Sequence, residues 1–530
     1  MTAAPRDPVD VCVVGAGPAG IGAALGLAAK GKSFLLLERD GWVGGQTSPE
    51  YRDPITGSRL HLGAVVLTPP DYPLVMELAQ QVGLGVQPYS TGQGAYLWGA
   101  SGPLRVITPH TNQSGTAPAF LSRAADDFPG FSRAMKRYSQ LRRDLMPLLL
   151  APGGLPAVLR AAPELAVNGD AWLAANHLSE IAPICAQMLL QTGYGHLYQS
   201  SAASMLLYLS PFVLVAGFAS SGVDVSALLT WDDTQGWAPG LYALTDDVGF
   251  VELLRLLSLT LPPGSLVLNA TITAVVRPPP GGPGAGGPVL VTYSQAGAAP
   301  STATCGVLLN TVAQALPNLG YLQLDDFETS VFSRVTYARY FSTAVQVTPP
   351  VPLGAIVLQL PQDAGVFTHP AGPLTRWWAT RVTHRQLPGS GISPPAVPWL
   401  SAVTDPFPYT GQVCSAWSTN FGASNRPPGV PYTPDGLEVV YSYSDVDVNA
   451  TEVAAEAART FTRGKYVAAV RKTYAHIYYP RVSEADAKGG WYETLDRMQG
   501  RRQTYHAGGL LTFWDVEHAL RSGLDAVSRF

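Results

Sequence analysis

A chain of 530 residues exceeds one ordinary core, so two or more domains are expected, and one of them can be interrupted by another. Only 14% of residues are charged, against about 25% in a usual soluble domain, and 46% are hydrophobic, which predicts wide loops and large apolar interiors. A net charge of −4 supplies no basic field to hold a nucleic-acid backbone and excludes that class of partner.

Val9 to Val14 reads as a strand, Gly20 to Lys30 as a helix with a small-residue face, and Ser33 to Glu38 as a second strand, which together make one βαβ unit. Gly15, Gly17 and Gly20 form a GxGxxG that follows a strand and opens a helix, the context a dinucleotide fingerprint requires. The first glycine serves the tight turn, the second lets backbone approach a pyrophosphate, and the third lets helix and strand pack. Pro18 and Ala19 complete the turn. Glu38, followed by Arg39, ends the second strand, where a carboxylate can accept from a ribose diol.

Asp71 to Val82 is an amphipathic helix, and Asn168 to Val223 reads mostly as helices. Between Glu180 and Asp224 there is no charged residue, and Met205 to Ala219 is nearly all apolar. That run falls short of the roughly 20 residues a bilayer needs, and Pro211 interrupts it. A buried helix or pocket wall is therefore predicted, not a membrane span. Val248 to Thr260 is another amphipathic helix, followed by the strand-like Ser265 to Val276. A second literal GxGxxG at Gly282, Gly284 and Gly287 has neither a leading strand nor a following helix, and it reads as a Pro/Gly loop tip leading to Val289–Tyr293. Gly306 to Thr311 is a further strand. Alternation in Arg339 to Val347 and Leu437 to Tyr443 predicts a second sheet between Tyr321 and Ser444. Thr504 to Phe530 holds a strand, a break at Gly508–Gly509 and a helix from about Asp515.

The four cysteines, Cys12, Cys185, Cys305 and Cys414, are far apart and make no metal-like spacing, which predicts no metal and a reduced compartment. The first apolar run is a short strand instead of a leader, so a cytoplasmic location is expected. His61, His196 and His506 can each act near neutral pH, against the plainer reading of hydrogen-bonded or surface histidines.

Beyond the fingerprint, several segments resemble the flavin amine oxidase superfamily. GWVGGQT after Glu38 resembles its glycine doublet, which implies that Gly44, Gly45 and Gln46 lie along the diphosphate and ribityl chain of FAD. HLGAVVL resembles the segment that passes the flavin ring, implying Gly63, Ala64 and Val65 beside it, and Ser265 to Val276 resembles the strand whose backbone near Val275 holds adenine. YHAGGLLTFWDVEHALRSGLDA resembles the closing flavin motif, with Gly508, Gly509 and Val516 at its matching positions. Many relatives carry an acid after the first glycine, and Gly509 stands there instead. The run from Tyr478 to His518 is similar to a subgroup that includes bacterial polyunsaturated fatty acid double-bond isomerases and a fungal cyclopiazonate dehydrogenase.

The resemblance implies an α/β architecture. A discontinuous Rossmann-like FAD-binding domain spans 1–105, 231–318 and 450–530, and an inserted α+β substrate domain spans 106–230 and 319–449. No cysteine falls in the closing motif, so FAD is expected without a covalent link. Tyr337 to Val347 lacks the lysine that many amine oxidases carry. With the aromatic segment around Tyr194, Tyr198, Tyr208 and Phe212, and with Trp514, this implies a small apolar substrate. The function expected is oxidation or desaturation by hydride transfer to flavin, with oxygen as one candidate acceptor. The alternatives are a redox-neutral double-bond isomerase and a non-catalytic flavoprotein.

Overall fold

The computed structural model describes residues 7–47, 50–52, 54, 59–64, 66–89, 94–99, 102–107, 129–220, 225–245, 249–280, 287–295, 298–348, 355–359, 383–386, 412–419, 436–444, 449–463 and 467–530. Its first sheet contains β1 (Val9–Val14), β2 (Phe34–Leu37), β3 (Leu266–Val267), β4 (Ala270–Val276), β5 (Val289–Gln295) and β6 (Ser301–Asn310), in the order β3-β2-β1-β6-β5-β4. The pairs β3/β2, β2/β1 and β1/β6 are parallel, and β4, β5 and β6 form an antiparallel meander. Both faces of the parallel part are covered, which is why β2 is an unbroken apolar run, buried throughout. Val11, Val13 and Leu36 enter the core under helix α1 (Pro18–Ala29), and Cys12, Val14, Leu35 and Leu37 enter the core on the opposite face. The predicted strand 265–276 is divided in two by Asn269, which has a left-handed φ of 55°.

The second sheet contains β7 (Thr336–Thr348), β8 (Thr383–Gln386), β9 (Gln412–Thr419), β10 (Gly436–Ser444) and β11 (Val467–Arg481), all antiparallel, in the order β8-β9-β10-β7-β11. Phe341, on one face of β7, packs with Val453 of the helix Ala450–Arg463. On the other face, Ala344 meets Leu60 and Leu62 at the hairpin formed by Glu50–Arg52 and Arg59–His61. This sheet therefore lies between a covering helix and a hairpin of the first unit.

Two boundaries differ from the sequence expectation. Residues 450–463 and 467–481, expected in the cofactor domain, supply the covering helix and β11 of the second sheet, and Gly94–Gly99 lies between Gly102–Ile107 and Ala355–Gln359 in a separate three-stranded sheet. The chain returns to the first unit after Arg481, where β12 (Thr504–His506) pairs in parallel with β6. Alternation in β11 is interrupted by a register shift and by the left-handed Tyr479, which hides its strand character in the sequence.

The apolar stretch is two short buried helices, Ala202–Tyr208 and Pro211–Ser220, and no helix among the described residues is long and apolar enough to cross a membrane. A reduced compartment is expected from the cysteines, yet Cys12 and Cys305, on the paired strands β1 and β6, form a disulfide with a Cα–Cα distance of 5.6 Å. Their 293-residue separation concealed the pairing. Cys185 is free and buried, and burial pushes its thiol pKa up.

Candidate functional site

The three glycines of the first motif do different work. A Cβ on Gly20 would lie 1.8 Å from the Gly15 carbonyl oxygen, so helix and turn touch through backbone alone. Gly17 has an ordinary φ of −70°, and a Cβ there would meet only the Gly45 Cα at 3.7 Å. Gly45 is left-handed, with its own Cβ position 3.1 Å from the Gly17 Cα, and Gly44 donates to the Ala16 carbonyl at 2.8 Å. The glycine doublet thus lies across the glycine turn with no side chain between them, beside the N-terminus of α1, whose amide donors suit a pyrophosphate. Pro18 occupies the first helical position, Ala19 is buried behind it, and Arg39 is exposed beside Asp40.

Glu38 is buried and accepts from Ala16 N (2.7 Å) and Asp40 N (2.8 Å), one on each oxygen. A carboxylate has about four acceptor sites, so both oxygens can still receive a ribose hydroxyl. Burial raises the Glu38 pKa, and the two backbone donors oppose that rise without cancelling it. Glu38 N donates to Val267 O, and Ala270 N donates to Glu38 O, so the start of β4 adjoins this carboxylate. Val275 lies five residues further along, its side chain buried and its backbone paired with Val291. Gly63 passes close to the glycine loop, since a Cβ there would lie 2.2 Å from Thr47 O. Ala64 beside it is exposed, and Val65 lies outside the described residues.

The closing motif follows β12. Gly508 donates to Ser522 Oγ at 2.8 Å, and Asp515 caps the C-terminal helix Val516–Val527 by accepting from His518 N at 2.7 Å. The Asp515 carboxylate also holds His518 Nδ1 at 2.9 Å. Burial alone would pull the His518 imidazole down, but the charge and hydrogen bond of Asp515, with the Glu517 charge, together outweigh it and hold the pKa above the ordinary value. Val516 is buried at the first turn of this helix.

Facing these loops is an aromatic layer built from distant segments. Tyr340 of β7 stacks on Tyr478 of β11 (4.6 Å between centroids) and on Tyr441 of β10 (5.8 Å), while the Tyr441 hydroxyl donates to Gly63 O at 3.4 Å. Tyr194 stacks on Tyr478 at 5.7 Å and meets Tyr208 and Phe513 edge-on at 4.8 and 4.7 Å. Consecutive strand residues normally face opposite ways. The left-handed φ of 46° at Tyr479 lets it and Tyr478 both reach Tyr194. Burial raises the hydroxyl pKa values of Tyr194, Tyr208, Tyr340, Tyr441 and Tyr478, so the layer carries no phenolate charge at neutral pH.

Of the pocket residues named from sequence, Tyr194 and Trp514 join this layer. Phe212 does not: it is fully buried with Phe250 and Tyr242 in the core beneath α1. Sequence reasoning missed Tyr340, Tyr441, Tyr478 and His476. The alternation T-Y-A-H-I-Y within β11 was the available signal for two of them. His476 Nε2 is buried without a hydrogen-bond partner, and burial pulls its pKa to about 4, so the ring is neutral. Lys472 stands exposed on the same strand, with Nζ 5.2 Å from the Tyr474 ring centroid. His61 and His506 are buried in packing positions, and His196 stacks on Tyr198 at 4.9 Å. No cluster of metal-ligating side chains occurs among the described residues.

Residues 10–82 match the family model described as FAD dependent oxidoreductase. The putrescine oxidase of Kocuria rosea is 38% identical over 89 residues, 17% of this chain and 18% of that protein. Among solved structures, the CLA-producing fatty acid isomerase from P. acnes superposes with a TM-score of 0.63 at 19% identity, covering 99% of this chain and all of that one. Putrescine oxidase bound to putrescine superposes with a TM-score of 0.55 at 14% identity, covering 99% of each chain. These likenesses show the fold, and the bare approach of Gly17 to Gly45 with the remaining acceptor sites of Glu38 fits the pyrophosphate and ribose of FAD.

Proposed function

We propose, for a chain of the flavin amine oxidase-like superfamily that binds FAD, the oxidation or desaturation of a small, mainly apolar molecule by hydride transfer to a non-covalently held flavin. The observation that carries this reading is the uncharged aromatic layer of Tyr194, Tyr340, Tyr441 and Tyr478, set against the hairpin and glycine loops of the cofactor unit. Bound FAD supplies a hydride acceptor at N5. The chain's own part is to hold a substrate C–H bond in place and exclude water. Stacked rings with protonated hydroxyls do both without offering a charge. The N-terminus of the helix Val516–Val527, on the pyrimidine side by the family resemblance, would favour negative charge by about 0.3–1 kcal/mol. Oxygen is the acceptor we expect to remove the electrons.

A second reading, redox-neutral isomerisation of a double bond in a fatty-acid-like substrate, is supported by the full-length fold likeness to the fatty acid isomerase and by the same apolar layer. Anaerobic turnover separates the two. Oxidation consumes one acceptor per cycle, yields a product lighter by two hydrogens and stops when the flavin is reduced. Sustained anaerobic turnover with unchanged product mass would overturn oxidation in favour of isomerisation.

A further inference from the structure

Gly509 and Trp514 form a single device. A Cβ built on Gly509 falls 1.8 Å from Trp514 Cε3 and 2.5 Å from Cδ2, so the indole fills the space that any side chain at 509 would need. The indole N–H donates to Gln46 Oε1 at 2.8 Å, and Gln46 Nε2 donates to the Ile477 carbonyl of β11 at 2.7 Å. Neither end of this amide can be reversed, because an indole N–H only donates and a carbonyl only accepts. The Trp514 carbonyl accepts from the Tyr194 hydroxyl at 3.3 Å, and its ring stands edge-on to Tyr478 at 6.5 Å. One residue therefore touches the glycine-doublet loop, the closing motif and the aromatic layer, and it is only partly buried.

We propose that Trp514 is a positioning residue that fixes the separation between the flavin loop and the aromatic layer, and that Gly509 is bare so that the indole can take this place. The inference rests on the FAD reading above. Where many relatives are expected to place an acid, this chain places the flank of an indole.

The test uses the holoprotein labelled with 5-fluorotryptophan, in which the Trp514 resonance is assigned by its loss in Trp514→Phe. Gly509→Ala should shift that fluorine resonance and alter the visible circular dichroism of bound FAD, and its effect on the flavin signal should vanish in a Trp514→Ala background. Gln46→Met, which breaks both hydrogen bonds without adding a clash, should move the same two signals if Gly509→Ala does not fold. An unchanged Trp514 resonance in these variants, or a flavin effect of Gly509→Ala that persists without the indole, overturns the proposal. A colourless wild type with an intact fluorine response overturns the FAD reading alone, whereas a yellow wild type whose variants lack that response overturns the positioning role of Trp514.

Discussion

Lowering the pH should destabilise this protein through His506 in a way that one substitution abolishes. Asn310 Oδ1 accepts from the Tyr321 hydroxyl (2.7 Å) and from Val312 N (3.2 Å), which turns the Asn310 amide so that Nδ2 faces His506 Nδ1 at 3.1 Å. That network assigns Nδ1 as a bare acceptor, with the ring proton on Nε2. Protonating Nδ1 would set two donors against each other. Burial, and then the Arg277 charge, pulls the His506 pKa from 6.5 to about 3. Well above pH 6.5 neither the folded nor the unfolded chain protonates this ring, and its contribution to stability does not change with pH. As pH falls below 6.5 the unfolded chain takes the proton and the folded chain does not, so stability drops by about 1.4 kcal/mol per pH unit. Between pH 6.5 and 5 the loss is about 2 kcal/mol by the same slope. His506→Asn keeps an acceptor near the Nδ1 position and cannot titrate. It gives up the edge contact with Phe332 (5.2 Å), so its absolute stability falls, but its pH slope should be shallower by one proton. Urea unfolding of both proteins across pH 7.5 to 4.5 measures that difference. Parallel curves would refute the argument. Because Ala507 N hydrogen-bonds to Asn310 O and leads into Gly508, acid should also loosen FAD in the wild type sooner than in the variant.

The remaining expectations concern the cofactor cradle. Gly17→Ala should fold normally, since its φ is −70° and nothing lies within 3.7 Å of the new Cβ, yet it should lose at least tenfold in FAD affinity because the methyl occupies the pyrophosphate approach. Wild-type affinity in that variant, measured by fluorescence titration, would misplace the cofactor, and double substitution of Gly284 and Gly287 should have no effect. Glu38→Ala should weaken FAD by about 1.5–3 kcal/mol, as for a hydrogen bond to a charged group. In the wild type, FAD affinity should decline as pH falls through the raised Glu38 pKa, because protonation uses up an acceptor that the ribose needs, and calorimetry at two pH values checks that direction. Acid precipitation should release the flavin into the supernatant, and yellow colour left in the pellet would contradict the absence of a covalent bond.

The glycine turn was legible because backbone crowding writes a local pattern. Gly20 has to be bare against Gly15 O, and both lie within one turn of the sequence. Buried parallel strands such as β2 were legible from their unbroken apolar runs. The aromatic layer was not, because it is assembled from residues near 194, 340, 441 and 478 that no local period connects. The apolar segment containing both Tyr194 and Phe212 illustrates the difficulty: one ring reaches the layer and the other is sealed in the core, and both sit in one uncharged run that no local pattern divides. The Cys12–Cys305 bond and the hydrogen-bonded pair Trp514–Gln46 are invisible for the same reason, being contacts across 293 and 468 positions.

The closure of the cofactor unit orders events during synthesis. Helix α1 is packed by the helix Val516–Val527, and Lys30 Nζ donates to the Val527 carbonyl across 497 positions. Loop closure over such a span has to be paid before its contacts return anything. The first βαβ unit therefore leaves the ribosome with an apolar helix flank exposed, and it waits through translation of the whole second sheet before its cover arrives. Chaperone demand should be concentrated in that interval. A ribosome that stalls before residue 516 yields a chain that carries the complete glycine fingerprint but lacks the helix that packs against α1.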